Sequence, residues 1–491
     1  MAFFKLDIPA GVFSNGTEYE SSNRWHDASL VRWQNGSIRP IGGWTSRVDS
    51  LIEEPPRASN AWVDNSHDPH LALGTYNKLY VVTYDGIATD ITPAGFTVGD
   101  DDAQENTGYG GKTYGTSAYG VSRPSDGVVL EGSTWQLDNW GEYLIGCSVA
   151  DGNLYEWDLS AATAYQIPNS PVNCTGIIAT AERFVFAIGA DGNPRKLAWC
   201  DREDNTTWTP TATNEAGDFE LQTSGELMCG VKVRGRTLFV TTLDAHLATY
   251  SGPPTVYGFE RVGSSCGIAS RKGLVSAGDG AFWMGRSNFF VFDGSTVKPL
   301  KCDVLDHVFG DINQSQISKS FGVHNGRFNE IWWFYPSGAS NENDRYVVYN
   351  YLDGIWTIGS LERTTGFDSG VFSTPVWFDA SGNSYNHETG NAYDGMTPYL
   401  ESGPISIGEG DSVMHISQLI PDELNQGDVT AKIKTKFYPN GEEREYGPFS
   451  MGTPTTFRAT GRQIKVRFEG SEYKDWRVGK MRLDVKQGGG R

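Results

Sequence analysis

The chain has 491 residues, 38% of them hydrophobic and 12% aromatic, with 59 glycines and a formal charge of −20 at pH 7. That length can bury a large core; the glycines suit many tight turns, and the aromatics favour pleated, half-buried strands. So acidic a chain is a poor wrapper of nucleic acid by phosphate neutralisation, and with no run of 18 apolar residues no membrane span is expected.

No capped window of helical period occurs, so the chain reads as nearly all β. The opening MAFFKLDIPAGVFSNGTEYE lacks a charged region followed by a sustained apolar core and is not expected to be a secretory leader. Residues 1–54 read as strands and a hairpin packing on the body. In SSNRWHDASLVRWQNGSIRPIGGW two strands flank Gln34-Asn35-Gly36, and Asn-Gly is the strongest short hairpin signal. Arg24, Arg32 and Arg39 alternate there with Trp25, Trp33 and Trp44, a pattern that permits arginine–tryptophan stacking on one face.

From residue 55 to 400 a rhythm takes over. Seven apolar segments, most carrying an aromatic, run into polar turns: NKLYVVTYDG, GNLYEWDLS, RKLAWCD, AHLATYSG, NFFVFDG, RYVVYNYLDG and GNSYNHETG. Apart from one longer step, they recur at roughly 40–55 residues, the length of a four-stranded propeller blade. The expected fold is an all-β propeller of six to eight blades. The longer first step holds a Gly/Tyr-rich insertion at about 94–130, where Gly99, Tyr109, Tyr114 and Tyr119 are candidates for a gate or tip loop. Its Asp100, Asp101, Asp102 and Glu105 lack the spacing of a calcium loop.

Residues 401–491 change character again, to alternating strands between Gly, Pro and Asn turns that fit a small β-sandwich. In GRQIKVRFEG, Ile464, Val466 and Phe468 would face one way and Lys465, Arg467 and Glu469 the other. Residues 431–491 hold 14 Lys/Arg against 7 Asp/Glu. Arg458, Arg462, Lys465 and Arg467 are therefore candidates for a basic assembly surface.

Chemistry is harder to find. His67 and His70 in SHDPH have no third ligand in view, and His387-Glu388 sits in a polar turn. Motifs of the HExxH, GxGxxG and GxxxxGK[ST] types are absent. The six cysteines lack CxxC or CxxH spacing and read as small buried hydrophobes, as in a protein made in a reducing cytosol. No catalytic residues, cofactor or metal are expected. DREDNTTWTP is similar to the Asp-boxes of sialidase propellers through Asp204 and Trp208, but lacks the glycine and does not recur; it keeps a glycan-binding or glycan-hydrolysing propeller as the alternative.

Taken in order, NRWHDASLVRWQNGSIRPIGGW, WQLDNWGEYLIGCSVADGNLYEWD, DREDNTTWTPTATNEAGDF, VYGFERVGSSCGIAS, FWMGRSNFFVFDG, VHNGRFNEIWWFYPSGASNENDRYVVYNYLDGIWTIG and GRQIKVRFEGSEYKDWRVGKMRLDVKQGG make a specific set. The set resembles the tail hub, or nozzle, proteins of tailed phages, also called packaged-DNA stabilisation proteins. The resemblance runs from about Asn23 to Gly489 but leaves out the insertion. It implies a structural virion protein of the tail, made in the host cytoplasm, with six copies in a ring below the head–tail adaptor. Such a ring would close the exit channel, with loops as a steric gate, and would let DNA slide past acidic walls without sequence-specific binding. A basic carboxy-terminal face would dock an acidic tail neighbour.

Overall fold

The computed structural model describes residues 3–47, 52–83, 85–105, 129–406, 412–423, 428–470 and 474–489. Strand makes up 48% of the described residues and helix 4%. Seven four-stranded antiparallel sheets, blades 1 to 7, begin with the strands Ala58–Val63, Trp135–Trp140, Gly176–Ala179, Leu227–Val233, Leu274–Ala277, Phe321–Asn325 and Thr365–Phe367. Each first strand packs beside the first strand of the next blade, and the last packs against Ala58–Val63, so the array closes into a ring. The protein is a seven-bladed β-propeller, within the expected range of six to eight.

The seven sequence segments share one place in this array. Leu79–Val82, Leu154–Trp157, Lys196–Trp199, Asp244–Gly252, Phe289–Phe292, Asn343–Asn350 and Ser384–His387 are each the third strand of their blade. A third strand has neighbours on both edges and blades above and below, so it collects apolar and aromatic side chains. All four residues of Leu79–Val82 and of Leu154–Trp157 are buried. The turn after it leads to the outer strand and is polar.

The amino-terminal segment departs from expectation. It is not a unit lying on the body; three of its strands join three different sheets, and two pair with each other. Trp44–Ser46 is the fourth strand of blade 7, with Trp44 opposite His387. Trp25–Ser29 pairs with Tyr399–Ser402, and Phe3–Lys5 pairs with Arg482–Gln487. The expected hairpin forms between Val31–Gln34 and Ser37–Pro40, with Asn35 at φ 52° and Gly36 at φ 77°. Two successive positive φ values are what a type I′ turn demands, and Asn-Gly supplies them. The alternating arginines do not stack on the alternating tryptophans: Arg32 lies 3.7 Å over Phe328, and Arg24 5.3 Å over Phe13.

The carboxy-terminal strands build a two-sheet sandwich. One sheet runs Trp25–Ser29, Tyr399–Ser402, Gln463–Gly470, Val429–Lys436, Arg444–Ser450; the other runs Phe3–Lys5, Arg482–Gln487, Met414–Ile420, Thr455–Gly461. Ile464, Val466 and Phe468 enter its core as the alternation predicted. That core is continuous with Phe289, Trp333 and Trp356 of blades 5 and 6. Trp25–Ser29 lies against the outer strand of blade 6, Ile355–Ser360. Propeller and sandwich therefore share apolar packing, which opposes their separation.

Candidate functional site

The first strands surround a cavity of about 270 Å³ on the propeller axis, lined by every blade from Ser59 of blade 1 to Thr365 of blade 7. Close approach of the strands leaves little room for side chains. A Cβ on Gly322 would sit 2.4 Å from Val275, and one on Gly366 2.3 Å from Trp377. What polar chemistry the axis has is concentrated on blades 2, 4 and 5.

Asp138 of blade 2 accepts hydrogen bonds from Lys232 Nζ of blade 4, 3.1 Å to each oxygen, and from the Ala179 amide at 3.0 Å. Arg271 donates to the Leu227 and Met228 carbonyls at 3.4 and 3.0 Å, and its Nε lies 3.9 Å from Glu131. Gln136 donates to the Met228 carbonyl at 2.8 Å. Lys272 is half-buried, and its ammonium has no hydrogen-bond partner among the described residues. Desolvation holds it down to about 8, against the pull of Cys229 and Asp138. Burial pushes the Cys229 thiol up to about 12. Three cations and one carboxylate thus line the axis of a chain whose formal charge is −20. These positions lie on or just before first strands, which lack the aromatic signature of the third strands. Adjacent Arg271-Lys272 ahead of Gly273 was the available signal.

A second cleft, of about 620 Å³, lies between blade 6 and the sandwich, with His26, Asp27, His307, Asp311, Arg345 and Tyr399 in its walls. Tyr399 donates to Asp27 at 3.1 Å, and burial pushes its hydroxyl up to about 12. Burial lowers His307 from its ordinary value although Asp27 and Asp311 pull it up. Among the described residues, no three His, Cys, Asp or Glu side chains are grouped to hold a metal ion.

The basic stripe expected to face solvent is not a free surface at its centre. Lys465 is buried and ion-paired with Glu18, with Glu443 at 3.0 Å and with Glu401 at 3.6 Å. Arg467 pairs with Glu469 at 2.7 Å and Glu401 at 3.2 Å, and lies 3.7 Å over the Tyr399 ring. The strand alternation holds, but the face opposite the core is covered by carboxylates, most of them from distant segments. Arg458 is exposed and Arg462 half-buried.

Of the candidate gate residues, Tyr109, Tyr114 and Tyr119 lie outside the described residues. Gly99 is not a loop tip. Its amide donates to the Tyr76 carbonyl at 2.9 Å, and a Cβ there would lie 2.1 Å from Ser133 Oγ. The aspartates that follow serve as counter-ions. Asp101 pairs with Arg57 at 2.6 Å and Asp102 with Lys319 at 2.5 Å, while Glu342 joins both cations. His70 lies 3.1 Å from Asp64 and stacks on Trp62. His387 and Glu388 are internal, the latter bound by Arg32, Asn325 and the Gly42 amide. Asp204 is satisfied within its own loop by Thr206 and Thr207, and Trp208 is buried.

No protein-family model and no curated protein matches the chain. Among solved structures it is similar to virginiamycin B lyase from Staphylococcus aureus, at TM-score 0.42 and 8% identity over 70% of this chain and 98% of that one. It is also similar to BamB from Moraxella catarrhalis, at TM-score 0.38 and 11% identity over 79% of this chain and 99% of that one. PorZ, a surface component of the type-IX secretion system of Porphyromonas gingivalis, gives TM-score 0.38 and 9% identity over 85% of this chain and 46% of that one. The propeller assignment rests on the sheet topology itself.

Proposed function

We propose that the chain is a structural subunit of a phage tail, one copy of a ring that closes the DNA exit channel, retains the packaged genome and opens for ejection. The observation that carries this reading is the stitching of the amino-terminal segment. Its strands close blade 7 and contribute one strand to each sandwich sheet, so the start of the chain is sewn into both domains. A part that stands against internal pressure gains from such a weave, because neither domain can open without breaking a ladder that the other holds. The ordered resemblance to nozzle proteins supplies the biological setting. The propeller's own axis, at about 270 Å³, does not admit a duplex. The exit therefore lies between copies, and gating belongs to loops at the ring's inner rim.

Native mass measurement and negative-stain imaging of the purified chain should give a closed ring, expected to be sixfold. Phage particles assembled without the chain should leave their DNA open to nuclease, and adding the chain back should protect it. A monodisperse monomer that neither joins tails nor protects DNA would overturn the reading. Turnover of a glycan by that monomer would favour a glycan-active propeller instead.

A further inference from the structure

We propose that the axial cavity is a binding site for a small oxyanion, inorganic phosphate or a compact carboxylate, with Lys272 as its principal cation. The cavity is lined by all seven blades and, at about 270 Å³, takes a small molecule and not a polymer. Its charge is one-sided. Lys232, Arg271 and Lys272 face it, and the single lining carboxylate, Asp138, is already engaged by Lys232 and the Ala179 amide. Arg271 is committed to two carbonyls. Lys272 is left with three donors and, among the described residues, no acceptor.

The other walls add donors and no further charge. Ser59 Oγ and Thr365 Oγ1 lie 3.2 Å apart, and since one of them donates to the other, a hydroxyl proton remains for a guest. Toward Lys272, blade 2 presents Asp138 and Gln136, blade 4 presents Lys232 and Cys229, and blade 6 presents the Gly322 backbone. An ammonium kept partly out of water is costly without a counter-charge, and an incoming oxyanion supplies one. The lowered value of Lys272, about 8, follows from the same desolvation. Because the protonated amine is the binding form, affinity should hold below pH 8 and fall toward tenfold per pH unit above it.

Calorimetric titration of the full chain with inorganic phosphate, and separately with succinate, tests this. Saturable one-to-one binding of either is expected, and whichever binds identifies the oxyanion class. Lys272→Met should lose at least tenfold in affinity, while Lys298→Met, on an exposed lysine of blade 5, should lose nothing. Limited acetylation of the unaltered protein near pH 8 gives a second readout that needs no variant. Lys272 should be modified ahead of exposed lysines, and the bound oxyanion should protect it. No saturable binding of either ion, unchanged affinity in Lys272→Met, or no protection of Lys272 would overturn the proposal. Its failure would leave the ring reading untouched.

Discussion

His387 is stacked 4.0 Å from Trp377 and accepts a hydrogen bond at Nε2 from Arg363 Nε, 2.9 Å away. An always-charged guanidinium can donate there only to a neutral imidazole, so the proton sits on Nδ1. Burial, with Arg363 adding to it, holds the ring well below its ordinary value. The folded state therefore refuses a proton that the unfolded chain accepts below about pH 6.5. Stability from this group is fully present above that pH and is lost as pH falls, at about 1.4 kcal/mol per unit. Denaturant unfolding of His387→Gln from pH 8 to 5 should show a lower starting stability but a flatter acid limb, by about that slope. Lys465 gives the contrasting case. Lys465→Glu would set a new carboxylate among Glu18, Glu401 and Glu443. It should cost about 3–5 kcal/mol, the usual effect of breaking a buried pair. Arg458→Glu, on the exposed face of its strand, should stay within about 0.5 kcal/mol. If the two variants unfold alike, the stripe is a free surface after all.

At the scale of elements, the insertion is tied down at its root. Arg57, Lys319, Glu342, Asp101 and Asp102 form an ionic cluster joining the start of blade 1, the approach to blade 6, and the insertion. The Arg57 and Lys319 side chains are 2% and 1% exposed, so neither cation can exchange its partners for water. Glu342→Ala should cost about 3–5 kcal/mol, because it strips the shared carboxylate from two buried cations. Removing residues 106–128 with a short Gly/Ser bridge should preserve the calorimetric unfolding transition, since that cut spares Asp101 and Asp102. Unfolding of the deletion variant would show that the segment belongs to the core. A cut starting at Gly99, which the composition alone suggests, would instead take the cluster apart. The low apolar content of the insertion was legible, but the partners of its aspartates were not, because Arg57 and Lys319 sit in other elements.

For the whole molecule, stability depends on closing a ring of seven sheets whose last member is completed by the chain's beginning. Trp44 is packed against Tyr393 and His387 and opposes the latter across the closing ladder. Trp44→Ala should cost about 3–5 kcal/mol. Deleting residues 1–47 should do far more, replacing one cooperative transition by aggregation or by separate melting, because blade 7 and both sandwich sheets would each lose a strand. Calorimetry of the two variants checks this. A truncated chain that melts like the parent would deny the amino-terminal strands a structural role and remove the main support for the ring reading.

Local order was determined by the sequence on its own. Strand period, turn chemistry and spacing act within windows of a few to a few dozen residues, and all three are written there. The seven third strands, the Asn35-Gly36 turn and the inward set Ile464, Val466 and Phe468 follow from them. Tertiary structure alone decided what meets across long loops: Trp44–Ser46 beside Ser384–His387, Glu18 beneath Lys465, and Lys272 on the axis with Asp138. No local pattern encodes such pairs. Each is selected only when ring closure and shared core burial bring distant segments together, and that free energy belongs to the whole chain.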